Sequence, residues 1–107
     1  MRFKVVIGAQ VYAVEIAENL LQEAEDFHAK LDRDMDRGWQ MSREYVTQPD
    51  RLQRCQIVAD KLLTSIMQDN QATAMLMAAY IALRMPGAIG VDIDAGGEMQ
   101  NTEVLYA

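Results

Sequence analysis

The sequence predicts an α+β fold, mostly helical, in one small domain over residues 1–107. It has an N-terminal β-hairpin, two or three antiparallel α-helices and a C-terminal β-segment. Three observations predict it. Apolar residues alternate near both ends, at Phe3, Val5 and Ile7 and again at Ile89, Val91 and Ile93, which is the period of a strand. Between those ends the apolar spacing lengthens to three and four residues, the period of a helix. The chain has 107 residues, of which 50% are hydrophobic and 24% charged. That is enough for one core but not two, and too apolar for a disordered chain.

The elements follow in order. Phe3, Val5 and Ile7 share one face of a first strand, and Gly8-Ala9-Gln10 can turn it. Val11, Ala13 and Glu15 then line one face of a return strand, with Tyr12, Val14 and Ile16 on the other. A helix starting as early as Gln10 competes with this reading, but β-branched and aromatic residues favour the hairpin. From Glu18 the stripe Leu20, Ala24, Phe27, Leu31 and Met35 marks a first helix, with Gly38 as its stop. Residues 38–48 lack a clean period.

Thr47 or Gln48 before Pro49 reads as the next helix start, with proline at the first helical position. Leu52, Cys55, Ala59, Leu62 and Ile66 mark its inward stripe, with Asp69 a possible continuation. Asp69-Asn70-Gln71 is either a bend or the cap of a third helix, so residues 49–85 form one helix or two. From Ala72 to Met85 the chain is apolar almost all round, and Met85-Pro86-Gly87 ends the helical pattern. Val104-Leu105-Tyr106 can pair back on the alternating segment after the Asp94–Gly97 turn. The two β-segments could join in one sheet over the helices.

Charge narrows the function classes. Sixteen acids against ten bases give a net charge of −6, which disfavours nucleic acid and anionic membrane as partners. The acidity is uneven: residues 30–61 sum to +1, between flanks of −3 and −4. Arg33, Arg37, Arg43, Arg51 and Arg54 surround the Trp39–Tyr45 loop. The first apolar run, Val5 to Ile7, is too short for a signal peptide. The longest, Ala74 to Leu83, is too short for a membrane span. The expectation is a cytoplasmic protein with Cys55 as a reduced thiol.

Motifs for chemistry are weak. Asp92-x-Asp94 with Glu103 has part of a calcium-loop spacing, but helices do not flank it and Gly96 takes a ligand position. An Asp- and Gly-rich turn is the better reading. Glu25 and His28 have the Glu-x-x-His spacing of a helical metal site. His28 is the only histidine, so such a site would need completion across a dimer. Otherwise His28 is an exposed or half-buried residue beside Phe27. Cys55, on an inward stripe, reads as inert. Gly8 stands alone after its strand and no lysine-bearing helix follows Gly96-Gly97, so no phosphate loop, and no cofactor, is expected.

What remains is surface. Eight methionines are mostly core filler. From Ala74 to Met85 only Tyr80 and Arg84 carry polar tips, and a short chain hides such a helix most easily against its own copy. The sequence therefore predicts a homodimer whose self-contact uses Leu62, Ile66, Leu76, Ile81 and Leu83. Trp39, Arg43 and Tyr45 would face a second protein, because these residue types are enriched at binding hot spots. The expected function is a non-enzymatic interaction module or small regulatory protein, and the alternative is the Glu25–His28 metal protein.

Overall fold

A computed structural model describes the whole chain, Met1 to Ala107. Its N-terminal hairpin pairs β1 (Arg2–Ile7) with β2 (Gln10–Glu15) through a two-residue turn, so Gln10 belongs to the strand. Gly8 supplies the positive φ of 60° that such tight turns require. Phe3, Val5 and Val14 face inward and are buried.

The first predicted helix is two. α1 (Glu18–Glu23) stops at Ala24, and α2 (Glu25–Asp36) continues. The buried residues of α2 are His28, Leu31 and Met35. Phe27 is only half-buried, so the stripe is rotated by one residue and His28 lies inside. The aperiodic segment is a small antiparallel ribbon, β3 (Trp39–Met41) and β4 (Glu44–Val46).

α3 (Arg51–Met67) starts two residues later than expected, since Pro49 was to be its first residue. Asp50 is its cap, accepting from Gln53 N while the Gln53 side chain bonds back to Asp50 N, a capping box. Pro49 lies outside the helix. The polar interruption is a cap after all: Asp69 takes φ 55°, and the Asn70 side chain accepts from Thr73 N to open α4 (Gln71–Arg84). Residues 49–85 thus form two helices. No helix is long and apolar enough to cross a membrane.

The β-segments do join. β5 (Ala88–Ile93) lies parallel to β1, and β6 (Glu103–Tyr106) pairs antiparallel with β5, giving the order β2-β1-β5-β6. A register shift between Ala88 and Gly90 turns Ile89 outward and buries Ala88. The Asp92–Glu103 spacing is the β5–β6 connection, with a short 3-10 turn at Met99–Asn101. No flanking helices accompany it. α4 packs on α3, on α1 and α2, and on β2 and β5. The chain's own layers therefore cover much of α4 and leave Leu83 exposed.

Candidate binding site

The largest cluster of charged residues that meet lies on the three longer helices. Asp32 and Asp36 lie one turn apart on α2, so their carboxylates share a face. Asp32 Oδ1 accepts from Tyr80 Oη at 2.6 Å and Arg54 Nη1 at 3.2 Å, and its Oδ2 accepts from Arg84 Nη2 at 2.8 Å. Arg54 also donates from Nη2 to Asp36 Oδ1 at 2.7 Å and from Nε to the Pro49 carbonyl at 2.9 Å. The Arg84 guanidinium lies 4.7 Å from the Tyr80 ring centre. Burial alone would raise the Asp32 pKa, but donation from Arg84, Tyr80 and Arg54 and the Arg84 charge hold it below the ordinary range. Burial and the Asp32 hydrogen bond push the Tyr80 phenol up. Two acids and two arginines balance, so the cluster is neutral and its acids are engaged.

Beside it lies His28, 1% exposed. Its Nε2 is 2.9 Å from the Leu76 carbonyl oxygen, which can only accept, so Nε2 carries the proton. Nδ1 is buried with no partner. Burial lowers the pKa first of all, the Leu76 bond opposes, and Arg84 lowers it further against Asp32. The imidazole is neutral and stacks edge-on with Tyr80, centroids 5.4 Å apart. An open cavity of about 610 Å³ runs alongside, bounded by Gln22, Glu25, Ala29, Leu83 and Arg84 among others. Glu25 is exposed at the start of α2, and no group of three or more His, Cys, Asp and Glu forms a metal cluster. Cys55 is 1% exposed, and burial pushes its thiol up to about 12, which leaves no thiolate for nucleophilic work.

The ribbon separates the residues proposed to meet a partner. Paired residues of a sheet share a face, so Gln40 and Tyr45 lie on one side and Trp39 and Val46 on the other. Trp39 is half-buried against the core, with Lys61 Nζ 4.6 Å from its ring centre. Tyr45 is 57% exposed and donates from its hydroxyl to the Arg37 carbonyl at 2.9 Å, lying over Gly38. Arg43 is exposed at the ribbon tip and makes no ion pair. Ser42 Oγ donates to the Gly97 carbonyl at 2.7 Å and accepts from Met99 N at 3.0 Å, which ties that tip to the β5–β6 connection.

Of the residues expected in a self-contact, Leu62 and Ile81 are fully buried in the chain's own core. Ile66 and Leu76 are half-buried, and Leu83 is exposed. Sequence reasoning missed the Asp32 cluster. The available signal was Tyr80 and Arg84, one turn apart on an otherwise apolar helix, because a buried guanidinium requires a carboxylate. Arg54, grouped with the loop arginines in sequence, is drawn into the cluster instead. No family model, curated protein or solved structure matches this chain.

Proposed function

We propose that this chain is a non-enzymatic protein-interaction module, a small cytoplasmic adaptor or regulatory protein that works as a homo-oligomer. The observation that carries the reading is the β3–β4 ribbon. It presents an exposed Tyr45 held by its own hydroxyl bond, beside an Arg43 that forms no ion pair. An aromatic ring fixed before contact loses little entropy on binding, and an unpaired arginine can take a partner's carboxylate. The neutral, mutually engaged Asp32 cluster supports a structural role for the chain's main charge assembly rather than a catalytic one.

Arg43→Glu and Tyr45→Ala chains, used as bait in cytoplasmic extract of the source cell, test the docking surface. Both are expected to lose a protein that the wild type captures, with unchanged circular dichroism. Capture of the same proteins at the same yield by both variants would exclude the ribbon.

A further inference from the structure

We infer that the free edge of β2 joins two copies of this chain, antiparallel about a two-fold axis through Ala13. The inference rests on the homo-oligomer reading above and names its surface. Met1 N donates to the Ile16 carbonyl at 2.8 Å, and Ile16 N donates to the Met1 carbonyl at 2.7 Å. Bonded and non-bonded pairs alternate along an antiparallel ladder. In this register Phe3↔Val14, Val5↔Tyr12 and Ile7↔Gln10 are therefore the bonded pairs. Val11, Ala13 and Glu15 consequently aim their N–H and C=O groups away from β1. β2 is the last strand of its sheet, so those groups form an open template for another strand.

Protection is missing where it is usually found. β2 has six residues in unbroken register, with no proline, lysine or bulge. Its one charge, Glu15, is bonded to Arg2 at 2.6 Å, so two copies can approach here despite the net charge of −6. The opposite edge, β6, has four residues and lies against the irregular register of β5.

The edge also matches itself. With the axis at Ala13, Ala13 opposes its own copy and Val11 opposes Glu15. Each outward N–H and C=O then meets an outward group of the other chain. Faces agree as well: Tyr12 of one copy lies opposite Val14 of the other, both on the helix side. On that side an open cavity of about 430 Å³ borders Tyr12–Glu15 and is lined by Ile66, Asn70 and Met75 from the α3–α4 corner. Side chains of an added strand point into this space, and Tyr12 of the second copy is the one that reaches it beside Val14. Aromatic and β-branched residues form favourable cross-strand pairs. The two four-stranded sheets become one continuous sheet.

Ala13→Pro is the first test, since it removes an outward N–H and no bond of the β1–β2 ladder. Val11→Lys is the second, placing a charge on the edge without altering backbone geometry. Sedimentation at micromolar concentration should give twice the 12.1 kDa chain mass for the wild type and the single-chain mass for both variants. Ala13→Cys should form a disulfide-linked pair on oxidation, because bonded pairs hold Cα atoms about 5.5 Å apart, within disulfide reach. Variants that stay paired, with Ala13→Cys unlinked, would overturn the β2 edge and leave the homo-oligomer standing. A wild type at single-chain mass would overturn both. If that single chain binds another protein and Val11→Lys releases it, the edge belongs to a foreign strand.

Discussion

Asp32 accepts from three side chains on two other helices, so one carboxylate fixes α2 against α3 and α4. Its side chain is 27% exposed, whereas Asp36, which meets only Arg54, is 60% exposed. Screening makes the second contact worth little, while loss of the first strands Tyr80 and Arg84 half out of water. Asp32→Asn should therefore cost about 2–3 kcal/mol of stability, and Asp36→Asn less than about 1 kcal/mol. Urea midpoints at neutral pH read the difference, and equal costs would show that Asp32 is not the hub. Little of this was legible in sequence. Asp32 follows the inward Leu31 and sits among Arg33, Asp34 and Asp36, a pattern typical of a solvated face. Periodicity locates the face nearest the core, but not a neighbouring helix that arrives with its own cations. His28 was misplaced for a related reason: it adjoins Phe27, and the stripe drawn through Phe27 excluded it.

At the level of elements, strands and helices with long periods were readable, and the departures sit where the pattern is short or non-local. The hairpin, α3, α4 and the β5–β6 return follow from local alternation and caps. The ribbon has three-residue strands, too brief for a period to show. Nor did alternation disclose that β5 runs parallel to β1, a pairing between opposite ends of the chain. Gly90 is where that pairing is most exposed to test. A β-carbon there would run into the Lys4 carbonyl oxygen of β1, which is backbone and cannot swing aside. Gly90→Ala must push β1 and β5 apart and should cost about 3 kcal/mol, at the upper end for overpacking. Gly96 has ordinary space around it, without the backbone angle that strains a side chain, so Gly96→Ala should stay within about 0.5 kcal/mol. Thermal melts of both variants decide it, and a harmless Gly90→Ala would contradict the close approach of the strands.

For the whole molecule, α4 reads in sequence as too apolar for so short a chain to cover. The two terminal β-segments form one sheet, which covers α4 from a side that local patterns do not reveal. Packing α2 against α4 also encloses His28, and this makes global stability depend on pH. Burial lowers the His28 pKa from 6.5, so below that value the unfolded chain binds the proton more readily than the folded one. Stability then falls on acidification, beginning near the unfolded pKa and continuing down to the folded one, by at most about 1.4 kcal/mol per pH unit. Asp32 acts in the same direction in a lower window. Its folded pKa lies below 3.8, so its contribution is complete above that pH and is lost as pH falls through the folded value. His28→Gln keeps a donor for the Leu76 carbonyl but has no imidazole to protonate. Urea unfolding from about pH 7.5 to about pH 4.5 should show wild-type stability declining below the free-histidine pKa, and a flatter profile for His28→Gln. Carried on down to about pH 2, the same measurement on Asp32→Asn should retain the histidine decline and lose only the lower one. Wild-type stability that stayed level or rose over the upper window would mean that Nδ1 takes its proton without penalty. The enclosed, neutral imidazole would then be wrong.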